Sequence, residues 1–321
     1  MSEVSAAPER PESDPDRRVD GFELGDYPPL ARAAERVATR GQAWYLRSTL
    51  IELGIPLLAA VVSAVGAMPG VDFPADAALL AAALLLIAGL ATTHRRQART
   101  DRAWFEGRAV AESAKTVTWR YMMRVPPFDE DARADAELAQ TLRKVGQASP
   151  IVRLKVARET EDGPAITERM RQVRATNWQG RRAVYLAGRL DDQITWYGAR
   201  ARYNATRSGW LFKASLGAQA LAVGVALVRT VDPRWNLVGV FTTLSTSVVA
   251  WGQAKRFDEL QLSYLIARDE LAEIRERVTG AATEAAFVAA VVDSEGAISR
   301  EHTSWAAKSG AGHIPSIATS R

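Results

Sequence analysis

Hydroxyl side chains are concentrated in one apolar stretch of the sequence, Trp235 to Ala254, which runs "WNLVGVFTTLSTSVVAWGQA". Inside an apolar helix, such groups either line a water-filled path or form hydrogen bonds with a neighbouring helix. The sequence leaves both roles open. The candidates for pore lining or helix packing are the polar residues of this stretch and one amide from the preceding apolar stretch: Gln219, Thr242, Thr243, Ser245, Thr246 and Ser247.

Catalytic and metal-binding chemistry lacks residues at suitable spacing. There is no cysteine, and none of the three histidines, His94, His302 and His313, forms a ligand-spaced pair. The adjacent acids Asp191 and Asp192 diverge on a helix, and no nucleophile elbow, phosphate-binding lysine loop or dinucleotide fingerprint occurs. We therefore predict no enzymatic activity, no catalytic residue, no cofactor and no metal. The net charge of only +4 gives no reason to expect nucleic-acid binding.

Four apolar blocks separated by charged sequence predict an integral membrane protein. The blocks cover about residues 50–70, 76–94, 209–229 and 235–254, and each approaches the roughly 20 residues that cross the hydrocarbon core of a bilayer. The alternative is a soluble bundle of buried helices. Such helices usually keep a polar stripe, whereas these blocks are apolar on all sides, and this favours the membrane.

The blocks are joined in pairs by the short segments "PGVDFPAD" and "RTVDPR", so each pair is expected to form a tight helical hairpin. Arginines flank the first pair and are missing from its tip, which places both termini in the cytoplasm. The second tip carries Arg229 and Arg234, so its orientation is set less strongly. The predicted fold class is all-α: a multi-pass protein of the inner (plasma) membrane, with four transmembrane helices as two tandem helical hairpins and long cytoplasmic amphipathic helices.

Composition and spacing divide the chain into five segments. These are a disordered arm at 1–28, a first two-transmembrane unit at 29–128, a cytoplasmic connector at 129–165, a second two-transmembrane unit at 166–306 and a disordered tail at 307–321. Around the end of the connector, the alternation in "IVRLKV" and the turn signal "EDGP" predict a short β-hairpin over 150–165.

The two units resemble each other in sequence. The triplet "ATR" occurs at 38–40 and again at 205–207, each time before a hairpin. The exits from the hairpins share one spacing of basic and aromatic residues, in Arg95, Arg96, Trp104 and Arg108 and again in Lys255, Arg256, Tyr264 and Arg268. We interpret this as an internal duplication, in which both copies insert in the same orientation.

Three helical faces mix aromatic and charged residues at steps of three and four, which is typical of packing faces of cytoplasmic helices. On the second face, Arg189 is expected to reach Asp192, and the third face is expected to dock back on the bundle together with Glu295 and Ile298. The members of the three faces are Trp104, Arg108, Glu112, Lys115 and Trp119; Tyr185, Arg189, Asp192 and Trp196; and Glu301, His302 and Trp305.

Sequence segments around both hairpins resemble one known superfamily. "AVAESAKTVTWRYMMRVPPF" resembles the segment that follows the hairpin in the SLATT superfamily, the SMODS- and SLOG-associating two-transmembrane effector domains. Ile166 to Ala205 is similar to the helix before the hairpin in another branch, and Val291 to Trp305 is similar to the end of that branch. The similarity covers roughly residues 30–306, so the chain resembles a tandem SLATT protein.

This resemblance implies a non-enzymatic bacterial membrane effector of a conflict or anti-phage system. Its implied action is to form a pore or perturb the membrane as an oligomer, and its implied partners are the lipid bilayer, further copies of itself and a sensor or nucleotide-signalling protein. The alternative is a membrane-anchored scaffold whose cytoplasmic helices, especially Asp129 to Gln179, recruit a partner protein.

Overall fold

The computed structural model describes residues 22–98, 100–148, 150–232, 234 and 236–308. Within these ranges the chain is helical and contains no strand, which confirms the all-α prediction. The helices are α1 Pro29–Gly66, α2 Pro74–Ala98, α3 Thr100–Met122, α4 Asp131–Gln147, α5 Pro150–Glu159, α6 Glu168–Ala175, α7 Trp178–Tyr185, α8 Asp192–Val231, α9 Val238–Lys255, α10 Phe257–Thr279 and α11 Glu284–Lys308.

Three helical stretches of the described chain are long and apolar enough to cross a membrane. They are Pro29–Gly66, Pro74–Thr93 and Trp178–Val231, the last of which joins α7 and α8 through one π-helical turn. The fourth apolar block forms α9, which has 18 residues and is not one of these three. Its hydroxyls and its C-terminal Gln253 and Lys255 lower its mean hydropathy below that of the other blocks.

The apolar helices pack on one another and still leave a large apolar surface uncovered. α1 contacts both α2 and α9, and α8 contacts α9. The outward faces of α1, α2 and α8 carry large exposed aliphatic side chains, including Leu58, Leu86 and Leu227. A water-soluble protein rarely exposes apolar patches of this extent, whereas a bilayer stabilises them. The apolar helices therefore indicate a membrane protein.

A compact core is built around α3 and includes the N-terminal part of α1 and residues near the start of the stretch Trp178–Val231. α3 contacts α1 and α11, and α4, α5 and α6 cover it. Its buried aromatic residues Trp119 and Tyr121 contact other rings, so that Trp119 lies against Phe22 and Tyr185, and Tyr121 against Phe128. This core joins residues of both units in one body.

The β-hairpin predicted over 150–165 is wrong, because Pro150–Glu159 is a helix. α5 packs on α1 and α3, where Val156 is buried while Leu154 remains 68% exposed. The carbonyl oxygen of Glu159 accepts a hydrogen bond from Arg36 of α1. An isolated two-stranded hairpin is marginally stable in water, so these contacts with α1 outweigh the alternating pattern.

The structure also differs from the prediction at the end of the arm. Residues 1–21 of the predicted arm and 309–321 of the predicted tail lie outside the described residues. Phe22 and Tyr27, however, are buried, and the hydroxyl of Tyr27 accepts a hydrogen bond of 2.8 Å from Nε1 of Trp119. Residues 22–28 are therefore ordered, because two aromatic side chains anchor them to α3.

The two units repeat one packing arrangement, in which α3 lies along α1 and α10 lies along α8. A Cβ built on Gly107 would lie 3.1 Å from the backbone nitrogen of Ala38, so α1 and α3 approach closely. In the second unit, Cδ of Arg268 lies 3.4 Å from a Cβ built on Gly198. Both "ATR" triplets lie in the helices that enter the hairpins, 38–40 in α1 and 205–207 in α8.

Replacing Gly66 by leucine should separate α1 from α2, because a Cβ at this position would overlap with the Cβ of Ala77. We expect Gly66→Leu to lower the free energy of unfolding by about 1–3 kcal/mol, as overpacking does elsewhere. Gly54→Leu is the matched control, because Gly54 lies in the same helix and a Cβ there meets nothing within 4 Å. Thermal unfolding in detergent compares the stability of the two variants. Equal losses of stability in Gly66→Leu and Gly54→Leu would contradict a close contact between α1 and α2 at Gly66.

Candidate functional site at the junction of the two units

A fully buried ion pair connects the two units outside their apolar segments. Arg189 lies in the π-helical turn Leu186–Asp191 and is 2% exposed, and Glu295 lies in α11 and is 1% exposed. Nη2 and Nε of Arg189 donate to the two carboxylate oxygens of Glu295 at 2.8 and 3.0 Å, which is a bidentate pair.

Two hydroxyls complete the coordination of Glu295. The hydroxyl of Tyr185, from α7, donates to Oε1 at 2.9 Å, and the hydroxyl of Thr116, from α3, donates to Oε2 at 2.9 Å. The carboxylate thus accepts hydrogen bonds from α3 in the first unit and from two segments of the second unit. A buried charge of this kind is stable only when its hydrogen bonds are satisfied in this way.

The electrostatics of the site keep each donor protonated. Burial alone lowers the pKa of the Arg189 guanidinium, but the charge and the hydrogen bonds of Glu295 outweigh burial and raise this pKa above its ordinary value. Burial, followed by the charge of Glu295, raises the pKa of the Tyr185 hydroxyl well above its ordinary value. The arrangement therefore holds the helices together through charge-assisted hydrogen bonds.

The π-helical turn sets the direction of the Arg189 side chain. Asp192 was expected to be its partner, but that expectation is wrong: Asp192 is exposed, and Arg189 points into the core. The turn also brings Gly188 against Trp119, where a built Cβ would lie 3.3 Å from the indole ring. Single π-helical turns of this kind are often found at functional sites. Here the turn lies in the helix that continues as α8.

The predicted face on α3 lies largely inside the protein. Lys115 is 3% exposed and donates to Glu35 of α1 at 2.6 Å and to Glu112 at 3.2 Å. Arg108 lies over the ring of Trp196 in α8 at 5.7 Å, which brings together residues from two predicted faces. Trp104 stacks on Phe105 and also contacts Tyr45 of α1, and Trp119 bonds to Tyr27 as described above.

The polar residues of α9 are distributed over different faces. Nε2 of Gln219 donates to the hydroxyl of Ser245 at 3.2 Å, so these residues lie between α8 and α9. The hydroxyl of Ser247 donates to the carbonyl of Leu53 in α1 at 3.3 Å. Thr243 is half-buried, whereas the remaining two candidates face outward from the bundle: Thr242 and Thr246.

The C-terminal face is only partly described. α11 packs on α3 and α10, and Ile298 is buried, so the predicted docking of this helix is confirmed. The other predicted members of this face lie on α11, but their side chains are outside the described part of the structure: Glu301, His302 and Trp305. Among the described residues, no group of three or more side chains is arranged to hold a metal ion.

Sequence reasoning did not single out Thr116 and treated Glu295 only as part of a docking face. The spacing nevertheless contained a signal for Glu295. Val291 lies four residues before it and Ile298 three residues after it, and both are buried. A carboxylate that occupies a position on the apolar stripe of a helix needs a buried partner.

The fold and this junction define a membrane protein with two similar helical units that share one compact core. Residues 28–182 match the family described as SMODS and SLOG-associating 2TM effector domain 3, and residues 185–305 match effector domain 1 of the same description. The chain therefore belongs to the SLATT superfamily and consists of two SLATT domains in tandem. No curated protein and no solved structure matches the chain.

Removing one partner of the buried pair should destabilise the protein strongly. We expect Glu295→Gln to lower the free energy of unfolding by about 3–5 kcal/mol, because Arg189 would keep its charge without a counter-charge. Asp293→Asn is the matched control on the same helix, since it removes an exposed pair with Arg277 and should cost at most about 1 kcal/mol. Denaturant unfolding in detergent measures the free energy of unfolding of both variants. Similar losses in Glu295→Gln and Asp293→Asn would contradict the central role of Glu295.

Proposed function

We propose that this protein is a non-enzymatic bacterial membrane effector that acts as a homo-oligomer in a conflict or anti-phage system, where it opens a pore or otherwise perturbs the membrane. The family descriptions support the effector part, since both matched domains are described as effector domains with two transmembrane segments. The single observation that carries the oligomer and the pore is the outward face of α9.

The outward face of α9 differs in chemistry from those of the other apolar helices. α1, α2 and α8 each expose several large apolar side chains, whereas Val249 is the one that α9 exposes within the described residues. The exposed stripe of α9 is otherwise small or polar and follows alternating steps of three and four. We call it the α9 stripe, and it consists of Gly239, Thr242, Thr246, Val249 and Gln253.

A small and polar stripe supports contact with another protein copy or with water more than contact with lipid. A Cβ built on Gly239 meets nothing within 4 Å, so a second helix has room to approach there. The hydroxyls of Thr242 and Thr246 donate to carbonyls of their own helix at 3.0 and 2.9 Å, which leaves their oxygens able to accept bonds from a partner or from water. Four helices enclose no large pore by themselves, so a pore requires several copies.

The proposed topology has four crossings with both termini in the cytoplasm of the inner membrane. α9 has 18 residues and extends about 27 Å, close to the roughly 30 Å of the hydrocarbon core. The tip between α8 and α9 contains Arg229 and Arg234, and the cytoplasmic end of α9 contains Lys255 and Arg256. The basic residues before α8 and after α9 outnumber those at the tip, which supports this orientation.

A scaffold is the second candidate function, and one observation favours it. Leu262 and Ile266 lie one turn apart on α10 and are 61% and 59% exposed. They follow the basic end of α9, so in the proposed topology they face the cytoplasm, where a sensor or nucleotide-signalling protein would find them. In the predicted recruiting segment Asp129 to Gln179, α4 buries Leu138 and Leu142, and Leu154 of α5 is exposed.

Cysteine cross-linking tests the oligomer directly. The chain contains no cysteine, so single cysteines need no further changes. We expect Thr242→Cys or Thr246→Cys to form disulfide-linked dimers in membranes on mild oxidation, because the stripe brings two copies together. Ala220→Cys, on the exposed face of α8, is the matched control and should remain monomeric. Equal cross-linking at all three positions would contradict a specific contact.

Membrane depolarisation tests the pore. On induced expression in a bacterial host, we expect the wild type to reduce the signal of a membrane-potential dye early, and Thr242→Leu/Thr246→Leu to lose this effect. Ala220→Leu/Gly224→Leu places the same change on the lipid-facing side of α8 and should behave as the wild type does.

All proteins are compared at equal amounts in the membrane. Depolarisation by the wild type and by both double variants would contradict the assignment of Thr242 and Thr246 to the pore lining. The scaffold becomes the better description if the effect of expression on the cells is lost in Leu262→Glu/Ile266→Glu and is kept in Thr242→Leu/Thr246→Leu.

A further inference from the structure

Three arginines converge at one end of the compact core. We call Arg124, Arg174 and Arg181 the arginine cluster. Arg124 lies just after α3, Arg174 lies in the last turn of α6, and Arg181 lies in α7. Arg174 donates to Oδ1 of Asp131 at 2.7 Å, and Arg124 lies 3.2 Å from Oδ2 of the same carboxylate. Arg181 pairs with Glu284 and also acts electrostatically on Asp131.

The cluster holds more buried positive charge than buried negative charge. The side chains of Arg174 and Arg181 are 7% and 3% exposed, whereas those of Asp131 and Glu284 are 63% and 49% exposed. Asp131 and Glu284 also lie in the first turns of α4 and α11, where the backbone amides add partial positive charge. Three guanidinium groups and two helix N-termini thus share two solvent-exposed carboxylates.

Donor groups in the cluster remain unused. The Nε atoms of Arg124 and Arg181 are buried and form no hydrogen bond within the described part of the chain. Burial, together with the like charges of Arg124 and Arg174, lowers the pKa of the Arg181 guanidinium despite its pairing with Glu284. Buried donors without partners and repelling charges both cost stability, and an incoming anion reduces the repulsion among the guanidinium groups.

We propose that the arginine cluster is a binding site for a soluble, phosphate-bearing small molecule, which takes the place of the Asp131 carboxylate among the three guanidinium groups. A phosphate group carries more charge than a carboxylate and offers at least three acceptor oxygens. Planar guanidinium groups bind such oxygens in bidentate fashion. Asp131 occupies the position that the ligand takes, and its exposure allows it to turn away into solvent.

The position of the cluster favours a soluble ligand over a lipid headgroup of the same membrane. The apolar half of α8 begins at about Gly209. At roughly 1.5 Å per residue, Arg181 lies about 40 Å before it along the helix. Arg124 follows the end of α3 that is remote from α2. Glu284 belongs to the second SLATT domain and the arginines to the first, so a ligand on Arg181 competes with a contact between the domains.

Calorimetric titration of the full-length protein in nanodiscs with pyrophosphate tests this site. We expect saturable binding with one site per chain. Arg124→Gln should weaken it by about tenfold or more, the effect of losing one charge-assisted hydrogen bond. Asp131→Asn should strengthen it several-fold, because the competing carboxylate is gone, and a merely damaged fold would not produce a gain. Arg133→Gln is the control, since Arg133 pairs with Glu130 outside the cluster and is exposed.

Three results would overturn the proposal. The first is no saturable binding of pyrophosphate to the wild type or to Asp131→Asn. The second is an equal loss in Arg124→Gln and Arg133→Gln, which would indicate attraction by overall charge. The third is displacement of pyrophosphate when the nanodiscs contain phosphatidylglycerol, which would assign the site to a lipid headgroup. An unchanged affinity in those nanodiscs supports the soluble ligand.

Discussion

The ion pair between Arg189 and Glu295 is the interaction on which the compact core around α3 depends. Both charges are removed from water, and this cost is offset only because Tyr185 and Thr116 complete the hydrogen bonding of the carboxylate. The pair holds α11 against the π-helical turn, and the hydrogen bond from Thr116 holds α11 against α3. Since Thr116 belongs to the first SLATT domain and both charges to the second, the same cluster joins the domains.

This junction is connected to the membrane through one helix. The stretch Trp178–Val231 has 54 residues and extends about 80 Å, so it carries the π-helical turn at one end and an apolar segment at the other. Arg108 of α3 lies over Trp196 between these ends, and Lys115 joins α3 to α1. The compact core is therefore connected to the apolar helices through α8 and through the contacts of α3 with α1.

The division of the polar residues on α9 shows how tertiary contacts assign roles that composition leaves open. Ser245 and Ser247 bond to neighbouring helices, while Thr242 and Thr246 remain on the outside. One short hydroxyl-rich sequence thus serves both of the roles considered for it: part of it packs the bundle, and part forms the surface that we propose for contact between copies.

The sequence alone determined the helical class, the positions of the apolar blocks and the SLATT resemblance, because these depend on hydropathy and local spacing along the chain. It gave the wrong structure for 150–165 and the wrong partner for Arg189, since local patterns do not encode contacts with α1 or α11. Partners such as Glu295 lie more than a hundred residues away, and only the folded chain brings them together. The tertiary structure also decided which polar residues are buried, because burial depends on the faces that neighbouring helices cover.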